Sequence, residues 1–585
     1  MIKRLVQFAS TALLLFAIAH PARGEQTAED LLALVGDDVG LCAEVSQLEQ
    51  RVPEAARSEF FRRLERTAFY QAWRSGDDFK KLEQTRQAAE AILRQPVDRF
   101  LADVFGESVV LAASPAENGE VAGVLLTLAS DPETIDAALA ALKRAEPEKP
   151  IEELTHSGHV FLRRGPKRDG GAEAKDVIYS VRFGRIWAFS NRERLIRQMI
   201  DRHRARDAAS LRDVPAFRAA RAALPNDTLA WMWLNPRPWD RLINSEEDSE
   251  DARKFAAVWR RIESMMISLR LQPGIIIEAA VAYDDGDLPA DWSRFIESSG
   301  GPSPLFERVP RRALFALSGR VDFALAAEAF LRRLSESKRE ELERVREVSR
   351  GLLLGQDLLS DVLPELGPNV TAYVVPRTER ADVFPVGALA AIELPPRDER
   401  AASDPPSTRE GLDNALNVGL NVLAAWRNGE RPEARAVVRT RREAAGVTRW
   451  IESTDPFHPA FALTEDALLF ASAPELITEF RSNPADQGLT ADPDFRAWSR
   501  EFAPNANQAL YLNFAAIRAL LAERREFFVR QTVRDEGISP KEAERRLDAL
   551  GELLGLFDGV FAAVAIEPAR LRFTAGAMQR PAESE

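Results

Sequence analysis

Short runs rich in valine, isoleucine, leucine and alanine recur along the chain, each bounded by glycine, proline or aspartate. Such punctuation predicts strands. "SVVLAASP" and "AGVLLTLA" predict a hairpin. "DPETIDAALAALKRA" then predicts a helix opened by Asp131 with Pro132 in its first turn. "DVIYSVRFGRIWAFS" predicts a second hairpin turning near Phe183 and Gly184, followed by a helix. "DTLAWMWLN" predicts a strand and "MMISLRLQPGIIIEAAVAY" a last hairpin turning at Gln272-Pro273-Gly274. Strands joined by short turns pair antiparallel, so the class is α+β. "GVLLTL" is apolar on both faces, so helices cover at least part of the sheet.

The same order of elements occurs twice. "VFGESVVLAASP" is answered by "ELGPNVTAYVVP", "VAGVLLTLA" by "VGALAAIEL", and "DVPAFRAARAALPNDTLAWMWLN" by "DPDFRAWSREFAPNANQALYLNF". The separations stay similar: 261 residues from Gly106 to Gly367, 282 from Ser190 to Ser472, 278 from Asn235 to Asn513. The expectation is two tandem copies of one module at 30–290 and 305–580, each a mostly antiparallel sheet with helices packed on it. The second copy adds "LRRLSESKREELERVREVSRGLLLG", read as one long charged helix with Leu342, Val345 and Leu352 as a buried stripe. A coiled-coil partner helix is the alternative. Polar stretches from Arg163 and Arg397 read as loops.

The residues shared by the copies read as punctuation. Ser190 with Glu193, and Ser472 with Glu475, follow a strand in the Ser-x-x-Glu pattern of a capping box, where the serine oxygen accepts the third helical amide. A nucleophile elbow would need glycines flanking the serine, and Phe189, Asn191, Ala471 and Ala473 stand there instead. Asp213 and Asp492 read as helix caps before Pro-containing helices, and Asn235 and Asn513 as caps where a strand passes into a helix.

The N-terminus changes the picture of location. Lys3 and Arg4 precede an apolar run from Leu5 through Ala19, and Ala22-Arg23-Gly24 precedes Glu25. Residues 1–24 read as a secretory signal peptide cleaved near Gly24, with periplasm or medium as destination. An uncleaved anchor is the alternative, although the run falls short of the ~20 residues that span a bilayer. No integral membrane span is expected after the signal is removed. Removing residues 1–24 takes away three basic and no acidic residues, moving the formal charge from −13 to −16. A chain so acidic repels phosphate backbones, so nucleic acid is not an expected partner. Cys42 is the only cysteine, so no internal disulfide forms.

Candidate chemistry is sparse. His156 and His159 form "HSGH", a turn between strands or a pair of metal ligands. His203 and His458 lie among charged or turn residues. HExxH, a Walker A loop and GxGxxG are absent, and no cofactor is expected. Trp231 and Trp233 alternate on one strand face. They read as an aromatic platform for a sugar or apolar ligand, or as a face packed under helices.

The export signal before "LLALVGDDVGLCAEVSQL", then "FGESVVLAA", "DPETIDAALAAL" and the strand-serine-helix unit "LLFASAPELITEF", resembles a family of exported bacterial proteins called domain of unknown function 3352. The resemblance implies no activity, and no residue role is carried over. Three functional expectations follow. The first is a non-enzymatic exported protein that binds an envelope partner or scaffolds the envelope. The second is a carrier or sensor holding an apolar ligand between a sheet and its helices, which a charge-free apolar cavity would favour. The third is a hydrolase with a dispersed acid site, which converging acids or a Ser-His pair would favour.

Overall fold

The structure is a computed structural model. It describes residues 28–579 except 48–53, 55–56, 117–119, 146–149, 166–176, 206–207, 245–249, 272–273, 285, 287–292, 297–301, 378–384, 395–405, 444–445, 455–457 and 503–505. The signal peptide, the centres of both expected loops, and the Gln272-Pro273 turn lie outside the described residues.

Two compact units divide the chain, Met1–Asp285 and Gly286–Glu585. The described residues of the first form ten strands: β1 (Leu41–Ser46), β2 (Ser108–Pro115), β3 (Val121–Leu128), β4 (Ile151–His156), β5 (His159–Arg164), β6 (Ile178–Phe183), β7 (Ile186–Ser190), β8 (Ala230–Leu234), β9 (Ile262–Arg270) and β10 (Gly274–Tyr283). Every pairing among them is antiparallel, and the order across the sheet is β4-β5-β6-β7-β3-β2-β1-β8-β9-β10. The fold is therefore mixed helix and antiparallel sheet, as the alternation of short strands and helices requires. The "HSGH" stretch is the tight turn between β4 and β5, with His156 and His159 paired across it.

One face of this sheet is the core. Leu31 and Leu32 from the helix Ala28–Leu34, Ile196 and Ile200 from Glu193–Arg204, and Phe217 from Pro215–Ala222 pack on Val110, Leu126 and Trp233. Cys42 lies on this face, fully buried, and burial holds its thiol far above the ordinary range and so inert. Helices Val97–Phe105 and Pro132–Ala145 close one end of the other face, where Val104 and Ile135 cover Trp187.

The described residues of the second unit also form ten strands: β11 (Phe315–Arg320), β12 (Asn369–Pro376), β13 (Val386–Glu393), β14 (Val437–Glu443), β15 (Gly446–Glu452), β16 (Ala460–Thr464), β17 (Ala467–Ala471), β18 (Gln508–Asn513), β19 (Gly559–Glu567) and β20 (Arg570–Met578). Their order is β14-β15-β16-β17-β13-β12-β11-β18-β19-β20, again antiparallel throughout. Numbered within each unit, the two orders are the same. Helices Pro474–Ser482 and Pro493–Phe502 cover one face: Tyr373 stacks on Phe480 with ring centroids 6.2 Å apart, and Phe495 meets Tyr511 at 5.3 Å. The helix Thr408–Glu430 lies on the opposite face, where Leu420 and Ala424 pack with Ile451 and Phe461.

The long charged helix differs from expectation. It is two helices, Phe323–Arg333 and Glu336–Leu352, broken at Leu334 and restarted at Ser335. Val345 is 56% and Leu352 37% exposed and Leu342 is only half-buried, so the expected apolar stripe largely faces solvent. Ion pairs anchor this helix instead. Arg346 and Arg350 converge on the buried Asp357 carboxylate, each with a guanidinium nitrogen 2.9 Å from Oδ2. Burial opposes ionisation of Asp357, but the amides of Ser360 and Leu359 and the Arg346 guanidinium hold its pKa down to about 2. A lowered folded-state pKa contributes stability above the ordinary aspartate range that is lost as pH falls toward 2. Asp357→Asn is expected to cost about 2 kcal/mol at pH 7, and the difference from wild type should shrink as pH drops from about 4 to 2. Urea unfolding of both proteins across that range checks it; a pH-independent difference would count against this role.

Candidate functional site

A cleft of about 570 Å³ opens in the second unit between the sheet and the helix Thr408–Glu430. Strand alternation builds its floor: Ala372 and Val374 of β12 and Ala388 and Ala390 of β13 face one way, while Tyr373 and Leu389 face the other. Phe461 of β16 and Phe470 of β17, directly opposite each other in register, form one wall. The helix supplies the roof with Ala415, Leu416, Gly419, Leu420 and Leu423, a spacing of three and four residues that keeps them on one side. A Cβ built at Gly419 would meet no atom within 4 Å, so this glycine keeps the roof open.

None of the eighteen lining residues is charged. The only hydroxyls among them belong to Tyr373 and Ser472. Tyr373 sits behind the floor against Phe480, and burial with the nearby Glu479 carboxylate pushes its phenol far up, so it stays protonated. The Ser472 hydroxyl already accepts the Ala388 amide at 3.0 Å. A charged pair lies beside the wall: Arg449 of β15 lies 5.7 Å from the Phe461 ring centroid and forms a two-pronged ion pair with Asp413 of the roof helix. That pair fixes the roof to the sheet without placing charge inside. Such a lining would offer a polar ligand few partners in return for its lost hydration.

The floor continues beyond the cleft. Phe470, Ala390, Ala372, Leu317, Leu510, Ala562 and Ala575 form one row of directly paired residues across β17, β13, β12, β11, β18, β19 and β20. The flanking row from Ala388 through Val374, Phe315, Leu512 and Val560 to Ala577 is equally apolar. The first unit carries a comparable row: Phe189, Leu125, Leu111, Ala43, Met232, Ile267 and Ala279. There Leu125 and Leu111 stand where the second unit has Ala390 and Ala372, and Leu139 with Ile135 packs down on Phe189 and Trp187. Larger side chains and a seated helix leave no comparable space at that end.

Of the residues singled out from sequence, Ser472 borders the cleft and the others lie elsewhere. Ser190 and Ser472 are not N-caps: the helices begin after Arg192 and Ala473, neither of which makes a side-chain cap bond. Both serines remain in step with the sheet. Ser190 Oγ accepts the Arg192 amide and donates to the Gly123 carbonyl at 2.8 Å, clipping β7 to β3, while Ser472 clips β17 to β13. Glu193 pairs with Arg197 at 2.6 Å and Glu475 with Arg377 at 2.7 Å, instead of reaching back to a cap. Asp213 closes the short turn Leu211–Asp213 by accepting the Ser210 amide, and the next helix starts at Pro215 with Val214 in the cap position instead. Asp492 accepts the amides of Asp494 and Phe495, Asn513 that of Ala516, and Asn235 that of Arg237.

Trp231 and Trp233 are not a platform. They are 5% and 1% exposed and pack on Phe217 at 5.5 and 5.3 Å between ring centroids. A strand flanked on both sides by others, under the helix Pro215–Ala222, turns that face into core. The histidines hold structure. His156 Nε2 lies 2.9 Å from Asp201, which also accepts from Ser157, so the carboxylate stands between serine and histidine. A nucleophilic relay needs the histidine in the middle. His159 and His203 pack on Phe183. No group of three potential metal ligands occurs among the described residues.

The roof helix itself was missed in the sequence. Its signals are Ser407-x-x-Glu410, which forms a complete capping box, and Leu412, Leu416, Leu420 and Ala424 at four-residue spacing. No protein-family model, no curated protein and no solved structure matches this chain.

Proposed function

We propose that this is an exported, non-enzymatic binding protein, a carrier or sensor that holds an apolar ligand in the cleft of its second unit. The observation that carries the reading is a 570 Å³ cleft between sheet and helix whose lining contains no charged side chain. Its volume lies inside the range typical of small-molecule sites. The two units are read as tandem copies of one module, which their shared strand order supports. One copy has kept its sheet-helix space filled and the other has opened it. The signal-like N-terminus supports export, and no helix among the described residues is long and apolar enough to cross a membrane.

The test is native mass spectrometry of the mature protein purified from the envelope or medium, followed by delipidation and titration with the fluorescent polyene cis-parinaric acid. Expected are a bound apolar species before delipidation and saturable, near-stoichiometric binding after it. Neither adduct nor saturable binding would overturn the reading.

A further inference from the structure

The cleft is one end of a longer feature. The apolar row from Phe470 to Ala575 crosses seven strands, and neighbouring strands lie ~4.8 Å apart, so it extends roughly 29 Å. Solvent reaches it well beyond the roof helix: Leu317 is 40% exposed, and on β20 Phe573 is 43% exposed. Alanines at 390, 372, 562 and 575 keep the strip shallow, and no charged side chain interrupts it or its flanking row. An accessible apolar strip of this length calls for cover. A compact ligand would fill the cleft and leave Leu317, Leu510 and Ala562 wet. A ligand that covers the strip must be long, narrow and uncharged along its length.

Resting on the reading above, we propose that the ligand is an extended acyl chain, one end held beneath the helix Thr408–Glu430 and the remainder laid across the strands toward β20. The cleft supplies full enclosure for part of the chain, and the strip supplies one-sided contact for the rest. A free fatty acid and a membrane phospholipid share this chemistry.

The experiment uses the delipidated mature protein. Bound cis-parinaric acid is displaced with octanoate, dodecanoate, hexadecanoate and a lysophosphatidylglycerol bearing a hexadecanoyl chain. Affinity is expected to rise by about two- to fourfold per added methylene, the range set by partial to full burial of each group. Leu510→Asp, outside the cleft, should remove the gain from octanoate to hexadecanoate while leaving octanoate unchanged. Ala562→Gln serves if that variant fails to fold. A lysolipid that binds at least as tightly as hexadecanoate assigns the chain to membrane lipid; a weaker one assigns it to free fatty acid. Equal affinity for octanoate and hexadecanoate, or a Leu510 variant that keeps the full gain, overturns the strip while leaving the cleft standing. Binding of no chain at all overturns both.

Discussion

Ala390→Trp is expected to abolish binding of an apolar probe while the second unit stays folded. Ala390 sits on the cleft floor with Ala372 on one side and Phe470 on the other in cross-strand register. An indole there rises from the floor toward Leu416 and Gly419 of the roof and occupies the space a ligand would take. The position borders open space rather than close-packed core, so overpacking, which costs ~1–3 kcal/mol in a filled core, should be milder here. A loss of at least tenfold in affinity, with an unchanged circular dichroism spectrum, is the expected result. Gly419→Leu adds a second sign. It replaces a glycine inside a helix, a change worth up to ~1 kcal/mol of helix stability, and its side chain enters space where a Cβ meets nothing. The unfolding midpoint should rise as binding falls. If both variants bind like wild type, the cleft is not the site.

Glu44→Ala should produce the largest loss of stability, and only in the first unit. Glu44 is 2% exposed on the core face of β1. Its carboxylate accepts from Arg221 Nη1 at 2.9 Å, from Trp231 Nε1 at 3.0 Å and from Ser108 Oγ at 3.2 Å. The Arg221 guanidinium also lies 4.9 Å from the Trp231 ring centroid. Removing the carboxylate strands an indole donor and a guanidinium against apolar neighbours. Breaking a buried pair in this way costs ~3–5 kcal/mol, and about 3 kcal/mol is expected here because Arg221 retains some solvent contact. Glu44→Gln, which keeps an acceptor for Trp231, should recover part of the loss. Unfolding followed by tryptophan fluorescence checks both, with cis-parinaric acid binding as the control. A change below about 1 kcal/mol would sink the account, and a loss of binding with no change in stability would move function into the first unit.

The capping signals show where local reading succeeds and where it is overtaken. Asn513 and Asp492 need only a strand or turn that stops and a helix that starts, and both accept the amides such a position offers. Ser190 and Ser472 carry the same local pattern, but Ser190 is still paired as the last residue of β7, and the Ser472 amide still donates to the Ala388 carbonyl of β13. Tertiary pairing with β3 and β13 therefore claims their hydroxyls. Trp231 and Trp233 show the same limit. Alternation puts them on one face, and only the presence of Phe217 above them decides that the face is core. The helix Thr408–Glu430 is legible in its capping box and four-residue apolar spacing, although the polar, proline-containing stretch before it reads as a loop.

Sequence alone determined the mixing of helix with antiparallel sheet, the hairpins and the scarcity of catalytic motifs. These depend on residues near one another in the chain: strand runs, turn glycines and prolines, and the periodicity of helices. The tertiary structure decided which distant strands became neighbours, β3 with β7 and β1 with β8 in one unit, β13 with β17 and β11 with β18 in the other. The cleft exists only because those pairings align Ala372, Ala390 and Phe470 side by side and set Gly419 above them. Each small residue is unremarkable in its own strand or helix. A cavity is a deficit of volume summed over side chains far apart in sequence, and only long-range register brings that sum into one place.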